Sequence, residues 1–91
     1  MKIFKYTIHP GLVEIDLPIG AKVISIQCQK VGNGESIQLW AIVDPNVKDT
    51  ERRRFYLAAT GEHLPKGIGA FIETFQMPNM GLVYHAFEFN G

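Results

Sequence analysis

The chain reads as an all-β domain, a compact sandwich or partly open barrel of about seven short, mainly antiparallel strands. Three observations predict this. Apolar residues recur at period two rather than 3.6, clusters of Gly, Pro and Asn separate the alternating runs, and no window carries the pattern of a sustained helix.

Phe4, Tyr6 and Ile8 alternate with Lys5 and Thr7, a first strand that ends at His9-Pro10-Gly11. Val13, Ile15 and Leu17 alternate with Glu14 and Asp16 in a second strand that stops at Pro18. Ile24, Ile26 and Cys28 alternate with Ser25, Gln27 and Gln29 in a third. Gly32-Asn33-Gly34 favours a tight turn, because Gly and Asn tolerate positive φ, and it joins strands three and four as a hairpin. Strand four covers Ser36 to Asp44, strand five Arg52 to Thr60, strand six Ala70 to Met77 and strand seven Leu82 to Phe89. Gly61 to Gly69 is a loop, and Pro78-Asn79-Met80-Gly81 a turn. Asp44 to Arg54 has room for one helical turn at most, because Pro45 interrupts it.

Residues 1–91 therefore make a single β domain, with somewhat over ~60% of the unfolded surface buried at this size. Cys28 is the only cysteine, which excludes an intrachain disulfide and a multi-cysteine zinc site. Nine basic and nine acidic side chains cancel, unlike the basic surplus of a protein that coats nucleic acid. No apolar run approaches the ~20 residues of a membrane span, and Met1 to Tyr6 lacks the apolar stretch of a signal peptide. The expected location is cytoplasmic.

Two strands are apolar on both sides. Strand four sets Ile37, Leu39, Ala41 and Val43 against Trp40 and Ile42. Strand seven sets Val83, His85, Phe87 and Phe89 against Leu82, Tyr84 and Ala86. Both faces of such strands need covering, and a domain this small has one core. A folded-back loop, a ligand or a second copy of the chain is the candidate cover; a homo-oligomer is the favoured expectation.

No catalytic constellation emerges. His9, His63 and His85 lack the close spacing that fixes two metal ligands locally, and the expectation is no metal and no cofactor. Ser25 and Ser36 lie in no nucleophile elbow, and Cys28 sits in an apolar-alternating strand that disfavours a thiolate. Glu73 and Glu88 are the one carboxylate pair to test for acid/base work, against the plainer reading of two solvated strand residues. Gly67-Ile68-Gly69 is not followed by a helix, so a helix-terminus phosphate site is missing.

Arg52-Arg53-Arg54 is the densest charge feature. It reads either as a solvated strand end neutralised by Asp49 and Glu51, or as a clamp whose guanidinium forks hold phosphate or carboxylate. Trp40, Tyr56 and Tyr84 each fall on the second face of their strands, where an aromatic ring stacks on a nucleobase or anchors a protein interface.

These segments are also collectively familiar. Leu39-Trp40-Ala41-Ile42-Val43-Asp44-Pro45 resembles the "LWALVDP" segment of a family of small phage and prophage proteins that carries a domain-of-unknown-function label. Glu51 to Phe55 resembles its "ETR-F" stretch, and Thr60-Gly61-Glu62-His63-Leu64-Pro65 its "GTGHPIP" loop, with Glu62 in place of a glycine. Ala70-Phe71-Ile72-Glu73-Thr74-Phe75-Gln76 is similar to "YIGTFQ", and Leu82 to Glu88 to "LVWHVFE". The resemblance implies a phage or mobile-element origin. By analogy of size and setting it points to sponges, proteins that sequester the cyclic nucleotide signals of host defence.

The resulting expectation is a non-enzymatic ligand-binding protein, most specifically such a sponge. Arg53 or Arg54 holds phosphate, Trp40, Tyr56 or Tyr84 stacks on the base, and Thr60 and His63 add hydrogen bonds. The alternative is a protein-interaction module, a host-takeover or virion accessory factor, using the Trp40 and Tyr56 face. A third reading is a small phosphodiesterase using His63 and His85.

Overall fold

The computed structural model describes residues 1–91. Its strands are β1 (Lys2–Ile8), β2 (Gly11–Pro18), β3 (Lys22–Val31), β4 (Gly34–Val43), β5 (Thr50–Ala59), β6 (Ile68–Met77) and β7 (Leu82–Phe89). All pairings are antiparallel and build two separate sheets, in the orders β1-β4-β3 and β2-β5-β7-β6. The all-β expectation resolves to a sandwich rather than a closed barrel. The molecule is a slab of 40 × 36 × 15 Å, whose thin axis fits two sheets stacked about 10 Å apart.

Strand parity builds the core. Ile37, Leu39, Ala41 and Val43 of β4 face Val13 and Leu17 of β2, Phe55 and Leu57 of β5, and Ala86 of β7, all buried. Leu39 lies between Tyr6 of β1 and Ile26 of β3, so the middle of the three-stranded sheet is sealed from both sides. The β3–β4 turn falls at Gly32, which has φ +61°, as the Gly-Asn-Gly sequence demands. Asp44 to Asn46 forms a tight turn in which the amides of Asn46 and Val47 donate to Asp44, with no helix following. The one helical element is a 3-10 turn, Pro78–Met80, between β6 and β7.

Three details depart from the simple alternation. A bulge between Val23 and Ser25 resets the parity of β3, so Val23 packs on the core and Ile24 is exposed, where strict period two puts Ile24 inside. β6 begins at Ile68, within the expected Gly61–Gly69 loop, and two irregularities flank Phe71. On β7 the core takes Tyr84 and Ala86, because Ala86 pairs with the inward-facing Leu57. The more apolar row, Val83, His85, Phe87 and Phe89, therefore points outward.

That outward row is partly covered by the chain itself. β5 and β6 flank β7 and both run antiparallel to it, so residues 60–67 must travel the length of β7 to join them. They cross its outer face. Leu64 helps roof a hollow floored by Phe87, and the amide of Asn90 donates to Gly67 O at 2.6 Å where the crossover ends. Of the three covers the sequence allows, a folded-back loop is thus present.

The sheets are also joined at an edge. Glu73 of β6 extends its carboxylate to β3 and accepts from Ser25 Oγ at 3.1 Å, from the Ile26 amide at 3.2 Å and from Gln27 Nε2. A side chain here takes the place of a neighbouring strand. It satisfies an edge amide that would otherwise offer a template for pairing.

Candidate functional site

The outer face of the four-stranded sheet gathers Arg54, Tyr56 and Thr60 of the sequence-predicted binding residues. Arg54, Tyr56, Ala58 and then Thr60 follow one another along the outside of β5. Phe89, Phe87 and His85 run beside them on β7. Leu12, Tyr56, Phe87 and Phe71 lie in register across all four strands, an apolar row about 14 Å wide at ~4.8 Å per strand spacing. The rings touch: Phe71 meets Phe87 edge-on at 5.7 Å, and Tyr56 lies 6.0 Å from Phe89.

At one end of this line is a cleft of about 270 Å³, lined by Arg52, Arg53, Arg54, Glu88, Phe89 and Asn90. It opens where the pairing of β5 with β7 stops at Phe55 and Glu88 and the chain turns toward Gly67. The Arg54 guanidinium lies over the Phe89 ring at 5.0 Å and also donates to Gly91 O. Every arginine has an acidic neighbour. Arg52 meets Asp16 at 2.8 Å, Arg54 meets Glu14 at 3.3 Å, and Arg53 lies 3.7 Å from Glu51 and 3.6 Å from Glu88. Glu51 is one of the neutralising groups expected from sequence; Asp16, Glu14 and Glu88 come from the paired strands.

The three guanidiniums are not equally committed. Arg52 is hydrogen-bonded to Asp16, which raises its pKa above the usual arginine range. Arg53 turns to the inner side, donates to Ala21 O at 3.0 Å and plugs the end of the sandwich. The Arg54 Nε is buried without a hydrogen-bond partner, since Glu14 is near but misaligned.

At the other end is a hollow of about 190 Å³ beneath the crossover loop. Ala58, Ala59, Leu64 and Phe87 make it largely apolar, and Thr60, Glu62 and His85 supply its polar edge. Thr60 Oγ1 lies 2.7 Å from His85 Nε2, and Thr74 Oγ1 lies 3.0 Å from His85 Nδ1. In the neutral imidazole one nitrogen donates and the other accepts, so one hydroxyl receives a proton and the other gives one. At the rim of this hollow, Tyr56 Oη donates to Glu62 Oε2 at 2.7 Å, and Glu62 Oε1 accepts from the Ala59 amide at 3.3 Å. This contact ties the crossover loop to β5. The hydrogen bond to the carboxylate, with some desolvation, raises the Tyr56 pKa above the usual phenol range.

Other predicted residues lie elsewhere. Trp40 is half-buried on the outer face of the three-stranded sheet, between Lys5 and Ser25, and so on the opposite side of the slab from Arg54. Tyr84 is a correction: it is core, 6% exposed and stacked on Phe75 at 6.0 Å, because the parity of β7 turns it inward. His63 is exposed in the crossover loop and lines neither hollow. The histidines do not converge, and no group of three or more His, Cys, Asp or Glu side chains is placed to hold a metal. Glu73 and Glu88 serve different partners, β3 and Arg53. Burial and the neighbouring Glu35 carboxylate raise the Cys28 thiol pKa, which disfavours the reactive thiolate.

The sequence expectation of a binding site leaves out Phe87, Phe89 and Asn90, and it gives His85 a part only in the phosphodiesterase reading. The signal was available in part: Phe87 and Phe89 share strand parity with His85. What it lacked was the pairing that sets this row beside Arg54 and Tyr56.

Fold and site together define a two-sheet antiparallel sandwich with a strapped aromatic face that ends in an arginine cleft. The chain belongs to the family described as Domain of unknown function (DUF7352), whose pattern matches residues 1–90. Among curated proteins and solved structures nothing matches it. No helix is long and apolar enough to cross a membrane.

Proposed function

We propose that the protein is a non-enzymatic binding protein whose ligand lies on the outer face of the four-stranded sheet, at the arginine cleft. Its most specific form is a phage-encoded sponge that sequesters a cyclic nucleotide signal of host defence. The observation that carries this reading is the alignment of Arg54 and Tyr56 with Phe89, which sets a guanidinium and stackable rings side by side. The resemblance to small phage proteins supports the setting.

The cleft is not a bare cationic pocket. Three guanidiniums face four carboxylates, so a phosphate binds by exchanging for Glu14 and Glu88 at contacts of 3.3 and 3.6 Å. Arg54, with its unsatisfied Nε, gains most from the exchange. Ring stacking then supplies about 1–3 kcal/mol per base. Inorganic phosphate alone, which cannot stack, binds weakly. Calorimetry with a panel of cyclic mono- and dinucleotides tests the reading: at least one binds wild type, and Arg54→Ala removes that binding. A folded protein that binds none of them refutes it.

A second reading, a protein-interaction module, is favoured by the apolar side chains that border the same face. Phe71 is 59% exposed, Leu64 51% and Leu12 40%, and aromatic anchors beside an arginine are the usual composition of a hot spot. The homo-oligomer expected from sequence accompanies the ligand-binding reading, and this same face is where a second copy would dock. Sedimentation of wild type and Phe71→Glu tests it: a complex with a host protein or a second copy, lost in the variant, supports it.

A further inference from the structure

We infer that the hollow beneath the crossover loop is a second subsite of the same ligand, which takes an uncharged group bearing hydrogen-bonding edges, such as a nucleobase or ribose. This rests on the ligand-binding reading above and names the second half of that ligand. The cleft is centred near Arg54 and Phe89, and the hollow near Ala58 and His85. Four strand residues separate them, about 13 Å at ~3.3 Å per residue. The ligand is therefore extended, with an anionic group at one end and a neutral polar group at the other.

The chemistry of the hollow fits that second group. Its walls are the side chains of Ala58, Leu64 and Phe87, which favour an apolar or flat body. Its polar edge is Thr60 and His85, the imidazole backed by Thr74, together with the Glu62 carboxylate, which favours ligand N–H and O–H groups and repels phosphate. No lysine or arginine lines it, so phosphate belongs in the cleft and not here. Tyr56 stands between the two ends and is hydrogen-bonded to Glu62 at the rim of the hollow. A ligand that spans both passes along the Tyr56 ring, under the strap that Glu62 holds.

Isothermal titration with inorganic phosphate, adenosine, AMP and cyclic di-AMP, each against wild type, His85→Ala and Arg54→Ala, tests the inference. The expected result is that AMP or cyclic di-AMP binds about tenfold or more tighter than adenosine or phosphate alone, because one molecule engages both ends. His85→Ala removes that advantage and leaves phosphate binding unchanged, while Arg54→Ala does the reverse with adenosine. Thermal melting confirms that both variants are folded. If the nucleotides bind and lose affinity in Arg54→Ala but not in His85→Ala, the second subsite is overturned and the cleft reading stands. If no probe binds folded wild type, both fall together.

Discussion

Replacing Glu73 with Ala tests how the two sheets are held together at their β3–β6 edge. The carboxylate accepts from Ser25 Oγ, the Ile26 amide and Gln27 Nε2. Ile26 is fully buried as a residue, so its amide cannot simply turn to solvent when the acceptor is removed. A buried donor left without a partner costs about 1–3 kcal/mol, and a hydrogen bond to a charged group contributes about 1.5–3 kcal/mol. Because β3 lies at the rim of the sheet, water reaches part of the gap, and the total is about 2–3 kcal/mol. A domain of this size has roughly 5 kcal/mol in all. At about 4–8 °C per kcal/mol for a chain this short, Tm falls by roughly 10–20 °C. Urea unfolding followed by Trp40 fluorescence measures it, since Trp40 is the only tryptophan and sits in the sheet that Glu73 clamps. Glu73→Gln keeps one acceptor oxygen and loses less. A shift below about 0.5 kcal/mol for Glu73→Ala, the range of an ordinary surface substitution, would refute the clamp.

Three further outcomes are expected. Phe55→Ala empties the centre of the core, where Phe55 is wholly buried, and costs about 3–5 kcal/mol, enough to leave the chain largely unfolded by circular dichroism. In a spectrophotometric titration Tyr56 ionises at higher pH than a free phenol, and Glu62→Gln reduces the difference, leaving the part that desolvation supplies. The folded pKa is raised, so the Tyr56–Glu62 tie contributes below the unfolded phenol value near 10 and is lost as pH rises through the folded value. Gly67→Ala loosens the end of the strap, because Gly67 has φ +98° and an added Cβ would lie 2.5 Å from the Gly91 backbone; faster amide exchange at Asn90, whose N–H bonds to Gly67 O, reads this out.

Much of this structure is legible in residue order. Period two and the Gly, Pro and Asn punctuation place seven strands, and β2 keeps Val13, Ile15 and Leu17 on one side as the pattern demands. Parity along β5 already sets Arg54 beside Tyr56 on one face. Parity, however, is blind to which face becomes core. Tyr84 and Phe87 are equally plausible inside residues, and only the pairing of Ala86 with Leu57 decides between them. A bulge is silent in composition too, and the one at Val23–Ser25 exchanges the places of Val23 and Ile24. The sequence expectation joins Trp40 and Arg54 in one site, since Trp40 and Tyr56 both lie on the second face of their strands. In a sandwich there are two outsides, and these residues occupy different ones. Glu73 shows the remaining limit: its partners on β3 are 46–48 residues away and on an unpaired edge, so no local pattern announces them.

The central claim is that ligand binding belongs to the strapped aromatic face and not to the Trp40 face. The most direct measurement is an amide and indole chemical-shift titration with the tightest-binding cyclic nucleotide. The account predicts shifts concentrated at Arg54, Tyr56, Thr60, His85, Phe87 and Phe89, with the Trp40 indole and the amides of β1 and β3 unmoved. Shifts centred on Trp40, or none at saturating nucleotide, would contradict it.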